Sequence, residues 1–71
     1  MEKAEIKHAI SRNMRELRLK KGISQDRLSK LADLSLNTIV KVESGRNPNP
    51  TILTLTRIAK CLSVRVDDLI K

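Results

Sequence analysis

Apolar positions recur at helical spacing along most of the chain. Ile6, Ile10, Met14 and Leu17 lie four, four and three residues apart. That is one stripe on a first helix whose other faces carry Lys, Arg and Glu. Gly22 stands where this helix should stop, with Lys20 and Lys21 near the negative end of its dipole. Ser24 can cap a second helix, with Asp26 in its first turn and Leu28, Leu31 and Ala32 as its apolar face. Ser35 can cap a third, with Ile39 and Val42 inward and Gly45 past its end. Thr51, after the Asn47-Pro48-Asn49-Pro50 break, can cap a fourth carrying Ile52, Leu55, Ile58, Ala59 and Leu62. Val64, Val66, Leu69 and Ile70 suggest a short fifth helix. Only Val64-Arg65-Val66 alternates as a strand would, and it is too short to make a sheet.

The second and third helices are very short, and only Ala32-Asp33-Leu34 separates them. Helices under about 12–15 residues rarely persist alone in water, so both must pack on the first and fourth. Two short helices crossing steeply, with the polar face of the second left free, can place a helix in the major groove of DNA.

Composition narrows the choice. The 71 residues predict one domain spanning 1–71, of modest stability unless it packs well or oligomerises. There is no Phe, Tyr or Trp, which removes the aromatic platforms used to stack single-stranded nucleic acid. Fifteen Lys and Arg against eight Asp and Glu give a net charge of +7. That balance suits a polyanion, although charge alone also serves solubility and locates no site. Cys61 is the only cysteine and His8 the only histidine, so an internal disulfide, a metal centre and Ser-His-Asp chemistry lack raw material. Both are read as structural or incidental. No cofactor is expected. No apolar run approaches a membrane span and no signal-peptide stretch is present, so a cytoplasmic location is the expectation.

Several stretches carry a resemblance. They are Met14-Arg15-Glu16-Leu17-Arg18, Gly22-Ile23-Ser24-Gln25-Asp26-Arg27-Leu28 and the run from Ser35 through Ser44-Gly45. Pro50-Thr51-Ile52 with Leu55, Ile58-Ala59 and Leu62, then Val66-Asp67-Asp68-Leu69, complete the set. In order and spacing, residues 10 to 70 resemble a Cro/repressor-type (XRE-like) helix-turn-helix domain. The resemblance implies an all-α, five-helix lambda-repressor-like fold with the helix-turn-helix at helices 2 and 3. It also implies a transcriptional regulator of double-stranded DNA rather than an enzyme, with residues 35–44 as the recognition helix.

On that helix Leu36, Asn37, Val40, Lys41 and Ser44 occupy the outward arc. Asn37 can pair bidentately with adenine, Lys41 can donate to guanine, and Leu36 can meet a thymine methyl. By resemblance Gln25 contacts an outer base or a phosphate. Ser24, Arg27, Ser35, Thr38, Ser44, Arg46, Asn47 and Asn49 are candidate phosphate contacts, the helix-start backbone N–H groups adding their own. The resemblance further implies an ion pair between Arg18 and Glu43. One recognition helix this short reads only a few base pairs, so a homodimer on an inverted-repeat operator is expected, and by resemblance its interface is the C-terminal segment, Arg65 to Lys71. Arg65, Ile70 and the off-stripe Leu53 are the interface candidates.

Three positions depart from the family pattern: Asp33 and Ser63 where Gly is usual, and Arg65 where a Ser or Thr cap is usual. A protein-interaction module of the same fold, such as an antitoxin bound to a toxin or a coactivator-bridging protein, is the alternative; exposed Leu36 and Leu53 would favour it.

Overall fold

A computed structural model describes residues 3–47 and 49–71, with the side chains described from residue 9 onward. The expectations placed on the side chains of Ile6 and His8, and the break at Pro48, lie outside the described residues. Among the described residues the fold is all helical: α1 (Lys3–Lys21), α2 (Gln25–Ala32), α3 (Leu36–Glu43), α4 (Ile52–Cys61) and α5 (Val66–Ile70).

Hydroxyl caps begin three of these helices. Ser24 Oγ accepts the backbone N–H of Arg27 at 3.0 Å, Ser35 Oγ that of Thr38 at 3.1 Å, and Thr51 Oγ1 that of Thr54 at 3.1 Å. Each satisfies an N–H with no partner inside its helix. Arg65 starts α5 without a side-chain cap of its own. The carboxylate of Asp68 substitutes by accepting the Arg65 N–H at 3.0 Å, the reaching-back half of a capping box.

Three helices end alike. Gly22, Asp33 and Ser63 all take the left-handed conformation, with φ of 68°, 55° and 59°. Each time the left-handed N–H and the next N–H turn back onto the helix: Gly22 to Leu19 and Ile23 to Arg18, Asp33 to Lys30 and Leu34 to Ser29, Ser63 to Lys60 and Val64 to Ala59. This paired pattern satisfies carbonyls at the helix end and turns the chain inward. The residue after each turn is apolar, and Ile23, Leu34 and Val64 all pack on the core. The turns at Asp33 and Ser63 therefore form without glycine, at the steric cost that a Cβ carries there.

The core joins Ile10 and Met14 of α1, Leu28 of α2, Ile39 and Val42 of α3, Leu55, Ile58 and Ala59 of α4 with Leu62 beyond it, and Leu69 of α5. Two expectations need correction. Leu31 is 50% exposed rather than on the apolar face of α2. The buried arc there runs through Leu28, Ala32 and Ser29, the Ser29 hydroxyl donating to the Asp26 carbonyl, and Leu31 falls on the far side of Leu28. Ile52 is 70% exposed, because the core contact of α4 begins only one turn later, at Leu55. At the other end of the fold, Asn13 of α1 donates to the carbonyls of Leu69 and Lys71 at 3.0 and 3.2 Å and so ties down the end of α5.

Candidate nucleic-acid interface

The geometry around α3 starts from Glu43, in its last turn. Both carboxylate oxygens of Glu43 meet the guanidinium of Arg18, which comes from the end of α1. Nε donates to Oε2 at 3.0 Å and Nη2 to Oε1 at 2.7 Å. The third nitrogen, Nη1, donates to the carbonyl of Ile23 at 2.8 Å. One side chain thus links the end of α1, the approach to α2 and the end of α3. The side chains of Arg18 and Glu43 are only 10% and 3% exposed. Hydrogen bonding to Glu43, reinforced by attraction to its charge, outweighs burial and raises the Arg18 pKa above its ordinary value. A bidentate pair of this kind fixes an angle as well as a distance.

The opposite face of α3 is open. Ile39 and Val42 point inward, whereas Leu36, Asn37 and Lys41 are exposed and Val40 and Thr38 are half-buried. Leu36 is 43% exposed at the very start of the helix. Ser35 Oγ lies 2.8 Å from Thr38 Oγ1, and Ser44 Oγ donates to the Lys41 carbonyl at 3.2 Å, so these hydroxyls already have local partners. Gln25 is half-buried in the first turn of α2, beside the exposed Arg27. Past α3 the backbone stays tied to it through the Asn47 N–H, which reaches the Lys41 carbonyl at 3.1 Å. Asn47 Oδ1 then accepts the Asn49 N–H at 3.1 Å. Arg46 and Asn49 are exposed, Asn47 half-buried.

Among the described residues Lys30 pairs with Asp26, Arg65 with Asp67 and Lys71 with Asp68, all exposed pairs. Arg27, Lys41 and Arg46 join no ion pair there. Charge pairing does not by itself set this face apart, since Arg12, Arg15, Lys20, Lys21 and Lys60 also join no ion pair among the described residues. No set of His, Cys, Asp and Glu among the described residues could hold a metal ion. No helix among them is long and apolar enough to cross a membrane.

The proposed interface residues lie elsewhere. Leu53 is 58% exposed on α4 and Arg65 is exposed at the start of α5. Ile70 is half-buried and leans on the core beside the fully buried Leu69.

Sequence reasoning missed two contacts to the recognition unit. The hydroxyl of Ser11, from α1, donates to the backbone carbonyl of Glu43. Arg57, from α4, donates through Nη1 to the carbonyl of Asp33 at 3.1 Å. Ser11 lies seven residues before Arg18 and hence on the same helix face, which was the only hint. Nothing in the sequence pointed to Arg57.

A short helix capped by Ser24, a left-handed turn at Asp33 and a second short helix capped by Ser35 with its outer face bare constitute a helix-turn-helix. A family model described as helix-turn-helix matches residues 14–69. The chain belongs to the Cro/repressor-type (XRE-like) helix-turn-helix family, whose members are DNA-binding transcription regulators and not enzymes. It is 36% identical over 56 residues to an HTH-type transcriptional regulator of Archaeoglobus fulgidus, an alignment covering 79% of each chain. The crystal structure of a hypothetical transcription factor, NHTF, from Neisseria superposes with a TM-score of 0.89 at 25% identity, covering 100% of this chain and 80% of that one.

Proposed function

We propose that the protein is a sequence-specific regulator of double-stranded DNA that lays α3 in the major groove. The observation that carries this reading is the exposed row of Leu36, Asn37 and Lys41 on a helix whose other side is locked into the core. In this reading Asn37 and Lys41 contact base edges, Leu36 meets a thymine methyl, and Gln25 reaches an outer base. Arg27 and Arg46, free of carboxylate partners among the described residues, contact phosphates, together with Ser24, Ser35, Thr38, Ser44, Asn47, Asn49 and the N–H groups at the starts of α2 and α3. Arg27 in the first turn of α2 opposes the helix dipole, and a phosphate beside it offsets that penalty.

One eight-residue helix reads only a few base pairs, too few to single out a site in a genome. The protein therefore acts as a homodimer on an inverted repeat, joined through the C-terminal segment around Arg65 and Ile70, with Leu53 as a weaker contributor. So short a segment buries little area, and the dimer forms mainly on DNA. A Cro- or repressor-like regulator or a restriction-modification controller fits this description.

A second reading rests on a different observation: Leu31, Leu36, Ile52 and Leu53 are all exposed. A protein-interaction module, such as an antitoxin, would cover such residues with its partner. A titration against duplex DNA at two salt concentrations separates the two readings. Each phosphate contact adds a slope of about −0.9 to log K against log salt, so a regulator shows steep salt dependence. Absence of duplex binding at both concentrations, with tight binding to a protein partner, would favour the interaction module.

A further inference from the structure

We propose that Ser11 and Arg57 are positioning residues that hold the C-terminal end of α3 and the turn leading into it at the angle base reading requires. The proposal rests on the reading of α3 as the DNA-facing helix, and it goes beyond that reading by assigning a role to two residues that touch no DNA in it.

Both contacts come from outside the helix-turn-helix. Arg57 donates to the carbonyl of Asp33, the left-handed residue that sets the angle between α2 and α3. That carbonyl belongs to the turn itself, so the α2 and α3 ladders do not fix it. A cationic donor also suits this place, because the C-terminal end of α2 is the negative end of its dipole. Ser11 donates to the backbone carbonyl of Glu43, the last residue of α3. Glu43 is thus gripped twice from α1: Arg18 holds its side chain and Ser11 its main chain. The two grips differ in what they control. The Arg18 pair fixes the carboxylate against the guanidinium but acts on α3 through the Glu43 side-chain torsions, whereas Ser11 acts on the backbone itself and resists rocking of the helix directly.

Core contacts alone leave that rocking open. Ile39 and Val42 anchor the inner face of α3, but both are apolar and non-directional in their attraction. At 1.5 Å per residue an eight-residue helix is about 12 Å long, so a tilt of about 10° about its middle displaces each end by about 1 Å. A displacement of that size takes a base contact out of the 2.7–3.2 Å window of a good hydrogen bond. Phosphate contacts by long side chains tolerate it far better, since they follow charge rather than a donor–acceptor pattern. Loss of either brace should therefore cost discrimination more than non-specific affinity.

The test combines amide hydrogen exchange on the free protein with binding to two duplexes. One duplex is enriched by the wild type from a random pool, and the other is a shuffled control. In Arg57→Ala the amides of Asp33 and Leu34 should exchange about fivefold faster, and in Ser11→Ala those of Ser44, Gly45 and Asn47, an effect the size of one hydrogen bond. Amides in the middle of α1 and α4 should be unchanged. Each variant should lower the ratio of enriched to shuffled affinity about fivefold while binding to the shuffled duplex stays within about twofold. Arg57→Lys and Ser11→Thr, which keep a donor, should recover most of the ratio. Unchanged exchange at the named amides, exchange raised evenly along the chain, or an unchanged affinity ratio would each overturn the proposal. Were the wild type to enrich no duplex, the DNA reading itself would fall, and the exchange measurement would still decide whether the two residues brace α3.

Discussion

The two sides of α3 obey opposite rules. Its inner side carries Ile39 and Val42 in the core and Glu43 in a buried bidentate pair, and every polar group there has a partner. Among the described residues, no buried side-chain nitrogen or oxygen lacks a hydrogen bond. Its outer side carries Asn37 and Lys41, whose side chains have no hydrogen-bond or ion-pair partner among the described residues, and an exposed Leu36. Polar groups spent on the inner side buy rigidity; those withheld on the outer side keep their donors for another molecule. Mutations on the two sides should accordingly separate stability from recognition.

The largest effect belongs to the inner side. Arg18→Ala strips the partner from a carboxylate that is 3% exposed and should cost about 3–5 kcal/mol of stability. Glu43→Ala should cost less, because Arg18 keeps the Ile23 carbonyl and a small opening to solvent. Thermal melts of the two variants give the order. Losses under about 1 kcal/mol would put the pair with exposed ones and remove the contrast.

On the outer side, Asn37→Ala and Lys41→Ala should change stability by no more than about 0.5 kcal/mol. Each should instead lower discrimination at one or two base positions by about 1–3 kcal/mol. Arg46→Ala should weaken all sequences alike and flatten the salt dependence. A uniform loss in Lys41→Ala would make that residue a phosphate contact.

Smaller effects sharpen the same division. Ser63→Gly relieves a left-handed side chain just past the end of α4, outside the helix-turn-helix, and should raise stability by about 0.5–1 kcal/mol with base preference unchanged. At α5, the Arg65 N–H, and next the Lys71 side chain, hold the Asp68 carboxyl below its ordinary pKa. A depressed carboxyl pKa stabilises the fold above the ordinary carboxyl range, and that contribution is lost as pH falls through the lower folded value. The Asp68→Asn variant should therefore lose this part of the acid dependence, seen as a shallower fall in melting temperature across the acid limb.

Much of this division was legible in the sequence, and the illegible parts share a cause. The caps at Ser24, Ser35 and Thr51 and the stop at Gly22 are local, so residue type announced them. The inward positions Ile39 and Val42 followed from helical spacing. Leu31 and Ile52 were misplaced because periodicity gives a stripe but not where the neighbouring helices end. In α2 the polar Ser29 takes an inner position that hydrophobicity would assign to Leu31. Ser11 and Arg57 were missed because both bond to backbone carbonyls distant in sequence, and a carbonyl leaves no trace in residue identity. Asp33 and Ser63 stand where glycine is usual, yet both turns form. The apolar residue behind each, Leu34 and Val64, signals the motif as well as glycine would.

The central claim, that the outer side of α3 reads duplex DNA, is tested most directly by selecting bound sequences from a random duplex pool with the wild type and Asn37→Ala side by side. The account predicts that the wild type enriches an inverted repeat whose half-site centres lie about 34–36 Å apart, and that Asn37→Ala enriches the same repeat with one or two positions per half-site relaxed. Enrichment of no sequence by the wild type, or of an identical sequence by both proteins, would contradict it.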